Sequence, residues 1–293
     1  MEQIKVLITG AQGQVGNEFR FLSFTYPQFR FLFTDVDVLD ITKPKQVLAF
    51  FQKHTPDFVV NCAAYTAVDK AETDTKFATK INVNGAKNLA KAAKVISATI
   101  IHLSTDYVYH NTQNMPFKED DTVSPKGVYA KTKLRGDRAV LKNNDKSIVI
   151  RTSWVYGIYG HNFVKTMLRL GKEKPELGVI FDQIGTATNA RDLAKAILHI
   201  IADNHNGKVA PDEAYGVFHY SNEGVMSWYD FTKAIFDIRG IDCKVNPIET
   251  VQYPTPAKRP PFSLLNKGKI KRVYGLDIPY WRDSLVGVLK ELP

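Results

Sequence analysis

Three glycines directly behind a short apolar strand constrain this chain more than any other feature: Lys5-Val6-Leu7-Ile8-Thr9-Gly10-Ala11-Gln12-Gly13-Gln14-Val15-Gly16. A near-continuous aliphatic run reads as a buried parallel strand. The glycine-rich turn behind it opens a helix. Gly10 permits the tight turn, Gly13 lets backbone approach a pyrophosphate, and Gly16 lets the helix lie close against the strand. The helix N-terminus then offers free N–H groups and a positive dipole end to phosphate. A dinucleotide is the ligand that suits this arrangement. The spacing Gly-x-x-Gly-x-x-Gly is weak evidence alone; the strand before it and the helix after it give it weight.

The rest of the first half keeps the same rhythm. Strands are predicted over 4–9, 29–34, 58–61, 99–103 and 147–152, with helices between them over 13–23, 44–53, 83–94 and 128–142. Alternating strands and helices predict an α/β fold, a Rossmann-type doubly wound parallel sheet. Beyond residue 155 the rhythm loosens. Short strands near 179–181 and 217–220 interleave with helices near 190–202, 228–238 and 280–292. This predicts a dinucleotide-binding domain over 1–155 and a smaller C-terminal substrate-binding lobe over 156–293, with the chain free to cross back between them.

Composition narrows the function classes. Of 293 residues, 44% are hydrophobic and 24% charged, as in ordinary globular enzymes. Lys and Arg (39) outnumber Asp and Glu (30), a net charge of +9 that fits either a solvated lysine-rich surface or attraction of an anionic small molecule. No basic run speaks for nucleic acid. No apolar run approaches the roughly 20 residues of a membrane span, and Met1-Glu2-Gln3 lacks the start of a signal peptide, so a cytoplasmic protein is expected. Cys62 and Cys243 have no metal-ligand spacing, the histidines show no His-Glu-x-x-His pattern, and no metal is expected.

Chemistry gathers at the carboxyl ends of the predicted strands, where doubly wound sheets bind ligands. Asp35 ends the second strand and can accept from a ribose 2′-hydroxyl; Asp37 could do the same, and Asp is also an ordinary turn residue. A carboxylate there repels a 2′-phosphate, which favours NADH over NADPH. Ala63 and Ala64 leave room for a nucleotide against the backbone after the third strand. The fourth strand runs into Ser104-Thr105-Asp106, hydroxyls that either face the site or cap a turn. Tyr129 and Lys133 are four apart, one helical turn on one face. A phenol with a pKa near 10 is a poor acid at neutral pH unless tuned, and a lysine one turn away stabilises its phenolate. Tyr229 and Lys233 form a second copy of the pattern, but only Tyr129 opens a helix soon after the Ser104-Thr105 strand end.

Together these parts resemble an extended short-chain dehydrogenase/reductase, and more closely the dTDP-4-dehydrorhamnose reductase family. The resemblance covers nearly the whole chain, through segments 10–16, 61–72, 104–108, 129–136, 151–157, 182–188 and 255–265. It implies Thr105, Tyr129 and Lys133 as catalytic hydroxyl, acid and lysine. It implies Gly13, Gln14, Val15, Asp35, Asp40, Ile41, Ala63, Ala64 and Tyr65 as cofactor contacts, and Thr105, Asp106 and Trp154 against a nucleotide sugar. The implied reaction is NAD(P)H-dependent reduction of dTDP-4-dehydro-L-rhamnose to dTDP-L-rhamnose. The alternatives are another nucleotide-sugar reductase or epimerase, and a non-catalytic cofactor-binding subunit.

Two positions depart from the family pattern: Ala187 stands where proline is usual, and Arg191 where some members carry a metal-binding acid at a dimer contact. Monomer and homodimer both stay open. Finally, the proline-rich segment Tyr253–Pro261 is either a rigid linker or a stiff arm bringing Arg259 or Lys258 to a diphosphate, for which the arginine fork is suited.

Overall fold

The computed structural model describes residues 3–293. Strand β1 (Ile4–Thr9) leads through the glycine turn into helix α1 (Gln14–Leu22) and on to β2 (Phe29–Thr34). Helix α2 (Pro44–His54) starts on a proline, whose missing N–H costs nothing at a helix N-terminus. It is followed by β3 (Phe58–Asn61), the short helices α3 (Val68–Ala71) and α4 (Thr75–Thr79), and α5 (Ala86–Val95). Then come β4 (Thr99–Thr105), α6 (Gly127–Asn143) and β5 (Ser147–Thr152). Between α4 and α5 the helix expected over 83–94 begins instead as a π-helical stretch, Lys80–Gly85.

The second half runs β6 (Val155–Tyr156), α7 (Phe163–Glu173), β7 (Glu176–Ile180), β8 (Ile184–Gly185), β9 (Thr188–Asn189) and α8 (Ala190–His205). It continues with β10 (Gly216–His219), β11 (Met226–Ser227), α9 (Trp228–Arg239), β12 (Lys244–Ile248), α10 (Gly268–Tyr274) and α11 (Trp281–Glu291).

Six parallel strands form the central sheet in the order β10-β5-β4-β3-β1-β2. β1 pairs with β2 on one side and β3 on the other, so the strand order reverses there and a crevice opens beyond the carboxyl ends of β1 and β3. The middle strands are aliphatic because both faces are covered. One apolar cluster joins Val6, Ile8, Phe19 and Ile148 to Leu193, Ile197 and Phe218; the other joins Leu7, Val59 and Ile100 to Val47, Phe51 and Leu89. A third cluster, centred on Leu168, Phe231, Ile235 and Leu285, forms the core of a smaller lobe.

The chain does cross back. β10 pairs with β5 in the main sheet, Val217 beside Val149, and α8 packs into the same cluster as α1. The smaller lobe is therefore built from pieces on either side of these returning elements.

Candidate active site

The glycine turn shapes one wall of a cleft of about 920 Å³ at the crevice. Gly10 adopts φ +65°, and a Cβ there would fall 2.7 Å from the Ala63 amide nitrogen. A Cβ on Gly16 would fall 2.4 Å from the Gly10 carbonyl oxygen, so only glycine lets α1 begin this close to β1. A Cβ on Gly13 would meet nothing within 4 Å except Gly10 O at 3.2 Å and would project toward the cleft it lines. Gly13 is the helix cap and offers no side-chain acceptor, so the first amides of α1 stay available to an anion. This cradle fits a dinucleotide pyrophosphate.

Gln14, Val15, Asp35, Asp40, Ile41, Ala63 and Ala64 line the same cleft. Asp35 accepts from Gln12 N at 3.0 Å and Val36 N at 2.8 Å, one bond to each oxygen, which fixes the carboxylate and leaves acceptor capacity for a ribose. Tyr65 stands back from the cleft wall: its hydroxyl donates to Asp74 at 3.4 Å and its ring meets Phe77 edge-on. Phe77 and Lys80 line the cleft in its place, supplied by α4 and the π-helical stretch.

At the cleft floor β4 runs to Thr105, two residues further than expected, so Ser104 and Thr105 sit at a strand end. Thr105 also caps: its hydroxyl accepts from Tyr107 N at 3.2 Å and donates to Asp106 Oδ1 at 3.1 Å. Tyr129 and Lys133 line the cleft from the first turns of α6. Burial raises the Tyr129 phenol, and Thr105 beside it pulls the other way. Burial drives the Lys133 ammonium down to about 8, opposed by the Asp137 carboxylate. Its Nζ donates to the Leu103 carbonyl at 2.6 Å. Burial pushes the Asp106 carboxyl up to about 7. The second pair, Tyr229 and Lys233, sits on α9 away from the cleft, with Lys233 exposed.

The wall opposite is aromatic. Trp154 adopts φ +47°, and its indole stacks on Trp228 at 3.6 Å between centroids, with Phe163 behind. Gly185 backs it so closely that a Cβ there would lie 3.0 Å from the ring. Trp228 is a lining residue that sequence reasoning missed, as it missed Tyr107, whose ring meets Tyr129 edge-on. Arg259 does not line the cleft: its fork donates to Asp69 Oδ1 at 3.0 Å and Oδ2 at 2.7 Å. The expected free guanidinium is thus already paired, clasping the proline-rich arm to α3.

Arg191 is likewise engaged. Its Nε donates to buried Glu18 at 2.7 Å, and both terminal nitrogens donate to Glu291, at 2.6 and 2.9 Å. A guanidinium thus occupies the acidic pair that could otherwise contribute to a cation site. No helix among the described residues is long and apolar enough to cross a membrane.

A doubly wound sheet with a phosphate-binding glycine turn, and a tyrosine and lysine sharing its cleft, defines the class of short-chain dehydrogenases/reductases. The family described as the RmlD substrate binding domain matches residues 4–293. The dTDP-4-dehydrorhamnose reductase of Aggregatibacter actinomycetemcomitans is 40% identical over 97% of this chain and 98% of its own. The solved structure of a dTDP-4-dehydrorhamnose reductase from Clostridium acetobutylicum superposes with TM-score 0.92 and 43% identity, covering 98% of this chain and 99% of that one. The Bacillus anthracis enzyme, solved in complex with NADP, gives TM-score 0.92 and 36% identity over 99% of this chain and 100% of that one. The chain belongs to the dTDP-4-dehydrorhamnose reductase family of NAD(P)H-dependent oxidoreductases.

Proposed function

We propose that this protein reduces the 4-keto group of dTDP-4-dehydro-L-rhamnose, giving dTDP-L-rhamnose, with Thr105, Tyr129 and Lys133 as its catalytic residues. The observation that carries this reading is their convergence on one cleft between a phosphate-binding glycine turn and an aromatic wall. Gly13, Gln14, Val15, Asp35 and Ala63 would hold NADH or NADPH, which supplies hydride when bound. Tyr129 gives its proton to the oxygen that becomes alkoxide. Thr105, held by its bonds to Tyr107 N and Asp106, directs a hydroxyl at the same oxygen as charge develops. Lys133 stabilises the phenolate that Tyr129 leaves. The Trp154 indole, locked by Trp228, is a flat surface for the sugar ring.

NADH is the favoured cofactor in this reading, because the Asp35 carboxylate at the end of β2 would repel a 2′-phosphate. Arg259 lies beside Tyr107 and would transfer its fork from Asp69 to the substrate diphosphate. With Arg191 tying Glu18 to Glu291, the protein works without a metal, as a monomer or homodimer. The test is NADH or NADPH consumption against a panel of 4-keto nucleotide sugars, with products resolved by chromatography. Turnover of dTDP-4-dehydro-L-rhamnose well above the other sugars is expected; equal turnover of several, or reduction of another sugar alone, refutes the substrate assignment.

A further inference from the structure

Behind the catalytic pair lies a buried polar chain that the proposed mechanism does not use. Tyr129, Lys133 and Asp137 are spaced at i, i+4 and i+8 on α6, so they form one stripe. Asp137 is 1% exposed. Helix α6 is pressed onto the π-helical stretch at Gly136, where a Cβ would lie 2.2 Å from the Asn82 carbonyl oxygen and 3.7 Å from His102 Nε2. This close approach brings His102 of β4 between the two charged groups: its Nε2 is 3.4 Å from Lys133 Nζ and 3.7 Å from Asp137 Oδ1.

The tautomer of His102 follows from its neighbours. The Ala63 amide can only donate, and it faces Asn61 Oδ1 at 3.2 Å. Asn61 Nδ2 therefore points at His102 Nδ1, 2.8 Å away, and that nitrogen must accept. Burial keeps the ring neutral, so its single hydrogen is on Nε2, on the side of Asp137. His102 thus turns its N–H toward Asp137 Oδ1 without reaching hydrogen-bond distance, and it is not an acceptor for Lys133. The Lys133 ammonium has the Leu103 carbonyl as its one close oxygen. The carboxylate that opposes the loss of its charge is Asp137, which also accepts from Arg151 Nε at 3.4 Å.

Two buried cations around one carboxylate make a poised set. Without the carboxylate, the cation that can lose its proton is the lysine, since arginine stays charged. We propose that Asp137 is a positioning residue for the reduction: it keeps Lys133 charged and seated on the Leu103 carbonyl while touching neither substrate nor cofactor. The inference rests on the reading that Lys133 acts on Tyr129. The other groups facing Lys133 are Tyr129 on α6, Ser104 on β4, Asp106 just beyond it, and Cys62 after β3. Burial pushes the Cys62 thiol up to about 12, so it stays neutral through an ordinary assay range.

The test is the pH profile of kcat at saturating substrate and cofactor for wild type, Asp137→Asn, Asp137→Glu and Arg151→Gln. The charged lysine is the active form, so activity falls as pH rises through its pKa. Asp137→Asn should move that alkaline limb down by about one unit or more, so that kcat at pH 8 drops about fivefold or more and recovers at pH 6. Asp137→Glu should restore the limb. Arg151→Gln removes the competing cation and should move the limb up, a direction that general instability cannot imitate and that keeps the idea testable if Asp137→Asn folds poorly. An unshifted limb in Asp137→Asn, an equal loss at every pH, or a downward shift in Arg151→Gln overturns the proposal. Lys133→Met separates the two readings: if it keeps turnover, the catalytic assignment fails; if it is inactive while Asp137→Asn behaves as wild type, only the role of Asp137 fails.

Discussion

Tyr129 is the residue on which the proposed chemistry turns, and its burial raises the phenol, so its protonated form dominates at neutral pH. Tyr129→Phe keeps the ring and its edge contact with Tyr107 but removes the proton donor. Turnover should fall by about 10²–10⁴-fold with cofactor affinity close to wild type, measured by steady-state kinetics and fluorescence titration. Tyr229→Phe, on the second Tyr-x-x-x-Lys copy outside the cleft, should change turnover by less than about twofold. Asp35 decides a different question. Its carboxylate is pinned by two backbone amides, so it cannot swing away from an incoming 2′-phosphate. Wild type should therefore show the higher kcat/KM with NADH, and Asp35→Ala should erode that preference. A tenfold advantage for NADPH in the wild type would contradict the carboxylate argument.

Among the elements, the glycine turn separates folding from binding. Gly16→Ala sets a methyl 2.4 Å from the Gly10 carbonyl, backbone against backbone, and should lower Tm as well as weaken cofactor binding. Gly13→Ala meets only the Gly10 carbonyl oxygen, at 3.2 Å, and should lower Tm far less than Gly16→Ala while raising the Kd for the dinucleotide. Thermal melts beside cofactor titrations check both.

The strands were legible because buried parallel strands are aliphatic runs bounded by turn residues. The five expected in the first half agree with β1 to β5, except that β4 extends to Thr105. The π-helical stretch was not legible. Lys80–Gly85 is poor in helix formers and ends in Asn-Gly, but nothing in it marks a π-turn, and what accompanies it is tertiary: Asn82 accepts from Tyr65 N and donates to Thr132 Oγ1. The Lys133–His102–Asp137 cluster was hidden for a related reason, since β4 and α6 meet there only once folded. Trp228 gave a local signal, sitting just after the capping serine Ser227, but only packing against Trp154 turns it toward the cleft.

On the scale of the molecule, Arg191 ties three helices: α8 by its own position, α1 through Glu18 and α11 through Glu291. Glu18 is buried, and its carboxyl is already raised by desolvation. Removing the arginine leaves that carboxyl without its partner. Arg191→Ala should therefore destabilise the protein, on the order of 3 kcal/mol for the loss of a buried partner, with turnover of the surviving folded fraction little changed. Denaturant melts beside activity per folded molecule check this, and a variant as stable as wild type would make the triad incidental.

The return of α8 and β10 to the main sheet has a consequence for recombination between relatives. The aromatic wall of Trp154 and Trp228, with Gly185 and Ser263 packed against it, comes from stretches on both sides of α8 and β10. A single crossover after β5 would thus transplant the outer strand of the central sheet along with the aromatic wall. That strand's register, Gly216 beside Ile148 through His219 beside Arg151, would then have to match a foreign neighbour. Exchanging sugar preference between homologues therefore calls for a chimera with at least two grafts, one before α8 and one after β10, leaving the returning elements native to their own sheet.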